Sequence, residues 1–512
     1  MIRRRLATLR SLILTVLISV TLAAQPTHAQ TPPPAFPGAE GFGAVATGGR
    51  GGQVIYVTTL ANDGPGSLSE ALRTPGRRYI LFTVSGVINT AAELIYGDVT
   101  IAGQTSPGGI TVRGIVCDGH YEANACDNLI IRHLRSRPAA HIPRDGAGYI
   151  LDDALRLDGV EKVIVDHLSL ANANDEAVQI SIARNITIQN TIIAETVGEH
   201  HIFGGMLINY SHSQRPQDNL TIHHNLWHRI TGRLPEISCE MTRNIGADEN
   251  AERPSFCGKQ PLNLELTNNL LWDAGGVITY NSNAQEGSGQ PEAGLFRLHL
   301  NWVRNVMFVR QDYPFGMIGS DVTTTAQNRL FFEGNRMNLY PDLRDAQLAS
   351  CCNDFYQEHP NTDSPLAIML AERQPFPPVT LTETTDLPAY MVAQVGAFPR
   401  DPMDRRLLSA VANCTIDPES RDKPVRDDAF LLDYDPHTPP TAPLDTDLDG
   451  MPDAWETAHG LKPTIQDHNG NDLSEKKTGV AGYTNLEVYL NELADSLAGK
   501  GGTVVTGTPC SP

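Results

Sequence analysis

Aromatic residues make up only 6% of the 512-residue chain, and beyond the leader no apolar run is long enough to span a bilayer. Scarce aromatics beside 44 glycines and 35 prolines argue against a helical bundle and for turn-rich β structure. Beyond the first few residues, clusters of lysine and arginine are missing too. The formal charge of −20 excludes the electrostatic footprint of a nucleic-acid binder, and no lysine lies between Lys162 and Lys259. There is no CxxC pair with a matching partner, which removes a structural zinc site. An acidic protein can hold an acidic polymer if divalent cations bridge the two sets of carboxylates, so the charge balance already points to calcium.

What is present begins with a leader. Arg3, Arg4 and Arg5, the apolar stretch Leu12–Ala24 and the small residue Ala29 read as a signal peptide over 1–29 of bacterial style, with export to the periplasm or the medium. Eight cysteines fit an oxidising compartment. Cys117 and Cys126 flank a short polar loop, as do Cys239 and Cys257, and both pairs read as local disulfides. Cys351, Cys352, Cys414 and Cys510 cannot be paired from sequence.

A short alternating strand recurs at Leu129–His133, Val163–His167, Ile186–Asn190, Leu220–His224, Leu264–Asn268 and Leu298–Trp302, at separations of 34, 23, 34, 44 and 34 residues. Alternation buries one face of each strand. One strand per period, with loops of changing length, predicts a solenoid whose coils bury their apolar faces by stacking. The expected fold is an all-β, right-handed parallel β-helix over residues 30–400. Asn225 and Asn269, at equivalent positions, fit stacked amides inside it. Residues 401–444, rich in proline and aspartate, read as a linker, 445–495 as a small acidic unit and 496–512 as a flexible tail.

The acidic unit opens with Asp445-Thr-Asp447-Leu-Asp449-Gly450-Met-Pro-Asp453-Ala-Trp-Glu456, a full match to the calcium loop D-x-[DN]-x-[DN]-G-x5-E, with Asp453 as a further carboxylate in the loop. It resembles the EF-hand-like or thrombospondin type 3-like tails of secreted enzymes. Asp467-His-Asn469-Gly-Asn471-Asp472 begins the same way but has Thr478 where the glutamate belongs, so a second site is at best partial.

The opening Ala35-Phe-Pro-Gly-Ala-Glu-Gly-Phe-Gly43, then Gly48-Gly-Arg-Gly-Gly52, Val54–Thr58 and Gly64–Leu72, resembles the start of bacterial pectate lyases of the parallel β-helix type. The likeness continues through Val163–Ser169, Asp175–Val178 and Ile222–Leu226 to Arg233-Leu-Pro235. It implies a calcium-dependent β-elimination on polygalacturonate by a monomeric enzyme, with calcium bridging substrate and protein carboxylates and an arginine taking the C5 proton. An arginine serves as a base only where neighbouring positive charge and restricted solvent lower its proton affinity. Carried over position by position, Arg233 matches the catalytic arginine, and Asp153 and Asp175 match calcium ligands. Departures are Leu151 and Gln179 at ligand positions, Gly205 where a substrate-binding lysine is expected, and Ser238 where a second arginine often follows. Asp152, Glu176, His200 or His201 would then rebuild the site, with Glu176, His200 and His201 as substrate contacts.

Two other readings stay open on sequence alone. A polygalacturonase-type hydrolase uses the same solenoid but needs carboxylates disposed for acid, base or nucleophile roles, which Asp152 and Asp153 supply in part. A noncatalytic carbohydrate-binding or cell-surface solenoid would tolerate the departures. His223 and His224, on opposite faces of one strand, read as packing residues.

Overall fold

The computed structural model describes residues 32–118, 126–139, 153–196, 204–211, 215–238, 260–281, 297–350, 365–417, 426–499 and 510. The leader, His200, His201, Leu151, Asp152, Cys239, Cys257, Cys351 and Cys352 lie outside them. Among the described residues three parallel sheets of eleven, seven and nine strands stack coil upon coil. The molecule is a right-handed parallel β-helix. No helix among the described residues is long and apolar enough to cross a membrane.

The strands expected from the repeat are neighbours in the eleven-stranded sheet. Leu129, Val163, Ile186, Leu220, Leu264 and Leu300 stand in one register, all buried in the solenoid core. The sixth repeat is therefore two residues out: Leu300, not Leu298, faces Leu264. A slip of two keeps the same face inward because side chains alternate with period two, so the pattern alone could not reveal it. Each strand ends in a residue of left-handed backbone, His133, His167, Asn190, His224, Asn268 and Arg304, which turns the chain into the nine-stranded sheet. Inside this corner the asparagines stack. Asn225 Nδ2 donates to Asn269 Oδ1 (3.1 Å), Asn269 to Asn305 (3.0 Å) and Asn305 to Asn335 (3.0 Å). Such a ladder satisfies amides and backbone that water cannot reach.

Glycines of the opening motif exist for contact. The segment lies across the outer face of the eleven-stranded sheet, where Gly43 N donates to Thr187 Oγ1 (2.8 Å), and a Cβ on Gly43 would come within 2.3 Å of the Val163 carbonyl. The Gly64–Leu72 motif forms the helix Leu68–Arg73, capped by Ser67, with Leu68, Ala71 and Leu72 in the solenoid core.

Residues 401–444 differ from the linker expectation. Asp401 caps the helix Pro402–Ala412, which packs with the helix Leu387–Gln394 on the outer face of the nine-stranded sheet around Ile192, Leu226 and Trp272. Its buried Asp401 and Asp404 meet Arg137 at 2.6 and 3.1 Å and Arg135 at 3.2 and 3.6 Å, and Arg406 is bidentate on Glu195 at 2.9 and 3.0 Å. Proline and aspartate here serve as first-turn residue, cap and buried ion pair. Residues 435–443 are irregular and mostly exposed. Cys117 and Cys126 form the expected disulfide; the other one among the described residues joins Cys414 to Cys510. Cys510, which falls in the stretch read as a flexible tail, is itself buried.

Candidate active site

The seven-stranded sheet carries Val116, Arg156, Gln179, Leu207 and Glu236 as one outward row, since the inward positions beside them are Ile115, Leu155, Val178, Met206 and Ile237. At the N-terminal edge of this row the turns before consecutive strands bring Asp153, Asp175 and Glu176 together. Each offers a carboxylate oxygen within 4.8 Å of the others. Asp153 is fixed from two sides, accepting from the Glu176 backbone N–H (3.2 Å) and from Arg156 Nη1 (3.2 Å).

Arg233 reaches this cluster from two coils beyond Glu176, across the coil that carries Gly205. Its guanidinium pairs with Glu176 and, at 3.1 Å, with Glu236. Its backbone is left-handed, and its carbonyl accepts from the Met206 N–H at 2.7 Å. Two predicted calcium ligands and the predicted arginine thus converge on one carboxylate, Glu176. That residue, expected to help rebuild the site and to contact substrate, lies within the acidic cluster.

The missing lysine has a steric reason. A Cβ on Gly205 would sit 2.1 Å from the Arg233 carbonyl oxygen, so the coil that carries Arg233 can approach only a glycine. Leu207, not Gly205, is the outward residue of that strand. The cation nearest along the row is Arg156, which sequence reasoning passed over. It donates to Gln179 Oε1 (3.0 Å) as well as to Asp153 and lies 3.6 Å from Asp158. Burial opposes its charge, but Asp153, Asp158 and Asp118 outweigh burial and hold the guanidinium above its ordinary value. The signal that could have found it is its place two residues before Asp158 on an alternating strand, which puts it on the same outward face.

His223 and His224 are packed away from this site. Their rings meet Nδ1 to Nδ1 at 2.9 Å, His223 Nε2 lies 3.2 Å from Gln189 and His224 Nε2 lies 2.9 Å from the Thr382 hydroxyl.

Comparison with known proteins decides the family. The chain is 30% identical over 467 residues to the Aspergillus flavus protein named "Probable pectate lyase C", covering 90% of this chain and 94% of that one. The chain belongs to the pectate lyase family. With that membership it is a polysaccharide lyase, and the hydrolase and noncatalytic readings fall away. A relative of the same name from Aspergillus fumigatus is 31% identical over 468 residues, with the same coverage of both chains. "Putative pectate lyase 11" of Arabidopsis thaliana is 32% identical over 197 residues, or 36% of this chain and 46% of that one. These pectate lyase relatives are fungal and plant, whereas the motifs suggested a bacterial branch. Among solved structures, the pectate lyase of Acidovorax avenae subsp citrulli matches with a TM-score of 0.46 at 12% identity, over 74% of this chain and 99% of that one. No family model matches the chain.

The acidic C-terminal unit differs from its motif. Asp445, Asp447 and Asp449 cluster as expected, but Asp453 turns away to accept from the Thr446 N–H and hydroxyl, both at 2.7 Å. Asp467, read as the start of a second loop, joins Asp449 and Glu456 instead. Burial, then repulsion from Asp449, Asp447, Asp467 and Asp445, raises Glu456 to about 8.

Proposed function

We propose that this pectate lyase is an exported, calcium-dependent enzyme that cleaves α-1,4-linked galacturonan by β-elimination, with Arg233 as the base. The observation that carries the reading is the meeting of Arg233 with Glu176 inside the Asp153–Asp175–Glu176 cluster. The cluster fits calcium. With Ca–O distances of roughly 2.3–2.6 Å, oxygens of one shell lie no more than about 5 Å apart, and one oxygen from each of the three carboxylates lies within 4.8 Å of the others. When bound, the ion would bridge to a substrate carboxylate and make the adjacent C5–H more acidic.

The protein's own part is positioning. Glu176 and Glu236 hold the Arg233 guanidinium from two sides, while Arg156, three strands back in the same sheet, supplies a second planar donor for a further galacturonate carboxylate. In its neutral form Arg233 takes the C5 proton and becomes the guanidinium, the electron pair forms the C4–C5 double bond, and the C4–O4 bond breaks; the departing sugar oxygen is protonated from solvent. Export is supported by the leader and the two disulfides among the described residues. The test is polygalacturonate with and without a calcium chelator, read as ultraviolet absorbance of unsaturated products. Unsaturated product that forms equally in chelator would overturn the calcium dependence, and saturated product would overturn β-elimination.

A further inference from the structure

The C-terminal unit gathers five carboxylates from two loops. Oxygens of Asp445, Asp447 and Asp449 lie within 4.8 Å of one another, and so do those of Asp449, Glu456 and Asp467, the two sets sharing Asp449. Glu456 is 0% exposed, and neither of its oxygens has a hydrogen-bond partner; Oδ1 of Asp467 has none either. A buried carboxylate with no donor and carboxylates for neighbours is stable only beside a cation or a proton. An all-oxygen set of this size suits a hard ion of high coordination number, calcium rather than zinc or copper.

The same two loops carry the contact with the solenoid. Asp445 accepts from the hydroxyl of Tyr56, on the first strand Gln53–Val57. Gly450, at φ 102°, lies so near the second strand, Arg78–Phe82, that a Cβ would stand 2.9 Å from Leu81. After Asp467, Asn469 donates to the Gly52 carbonyl at 3.0 Å. Behind the loops Met451, Leu486 and Leu490 pack on Tyr79, Leu81 and Ala102, and Arg50 pairs with Glu487 at 2.8 Å.

We propose that Asp445, Asp447, Asp449, Glu456 and Asp467 bind one calcium ion, and that this ion fastens the C-terminal unit onto the first coils of the solenoid. Without it the carboxylates drive the two loops apart, and with them the contacts to Tyr56, Leu81 and Gly52. The site shares no residue with the lyase centre, and its role is to hold closed the end of the solenoid where strand stacking begins.

The test uses the full chain. Terbium(III), a calcium-sized ion excited through the neighbouring Trp455 and Tyr56, is titrated in and then displaced by calcium. Loss of a charged ligand should weaken binding by at least ~10-fold in both Glu456→Gln and Asp467→Asn, whereas Asp453→Asn should lose no more than ~3-fold. Hydrogen exchange of Gln53–Val57 and Arg78–Phe82 should slow when calcium replaces chelator in the wild type and not in Asp467→Asn. Tyr56→Phe keeps every ligand and should bind terbium like the wild type while losing part of that protection. Binding by Asp467→Asn equal to wild type overturns the five-residue site, as does an Asp453→Asn loss as large as that of Glu456→Gln. Exchange on the two strands that ignores calcium overturns the fastening. None of these readouts involves galacturonan, so their failure is distinct from failure of the lyase reading.

Discussion

Arg233→Lys separates charge from geometry in the active site. The guanidinium is gripped by Glu176 and Glu236, and its side chain is only 18% exposed, so both its planar ends are committed. Lysine keeps the positive charge for the two carboxylates but loses the fork and the delocalised nitrogen that would accept the C5 proton. Because no buried carboxylate is left uncompensated, the fold should lose no more than about 1 kcal/mol. A positioned acid–base group is worth roughly 10²–10⁴ in rate, and misplacing the carboxylates beside it adds to the loss. We therefore expect kcat to fall at least ~10³-fold, equivalent to about 4 kcal/mol in the barrier. The assay is ultraviolet detection of unsaturated galacturonides between roughly pH 7 and 10, at several calcium levels. Thermal melting is measured alongside. A variant that melts like the wild type and keeps more than about a tenth of its turnover refutes Arg233 as the base.

Three further outcomes are expected. Arg156→Ala should raise KM for polygalacturonate about tenfold, the worth of one charged hydrogen bond, with a smaller change in kcat; a KM within about twofold of wild type would confine Arg156 to supporting Asp153. Asn269→Ala removes two ladder bonds and strands the buried Asn225 N–H and Ile222 carbonyl, so denaturant melts should show a loss of at least about 3 kcal/mol, and a loss under about 1 kcal/mol would mean the ladder is dispensable. His224 is held neutral by burial, down to about 4, and burial likewise lowers His133, His223 and His228. Between about pH 6.5 and 4 the unfolded chain binds protons that the folded chain refuses, so stability should fall as the pH drops through that window. His224→Gln should flatten part of that fall, worth roughly 3 kcal/mol for this residue, and an unchanged slope would show that His224 does not contribute.

The sequence by itself determined whatever depends on local periodicity. Alternation from Leu129 to Leu264 gave strands, their recurrence gave the solenoid, and Asn225 with Asn269 gave the ladder, because each is a pattern of short range repeated along the chain. The glycines of the opening were visible as well, though not that Gly43 is pressed against Val163. Asp401-Pro402 and Asp404 carried a helix-start signal that composition obscured, so a buried clasp on Arg135 and Arg137 read as a linker. Only the tertiary structure decided which side chains meet across coils. A register slip of two leaves alternation unchanged, so the pairing of Leu264 with Leu300 could not be read from it. Glu176 joined Asp153 and Arg233, Arg156 took the row beside them, and Asp467 replaced Asp453 in the C-terminal cluster. The physical reason is common to all of these: the separation in sequence between partners is set by loops of variable length, while their separation in space is set by the stacking of one strand on the next.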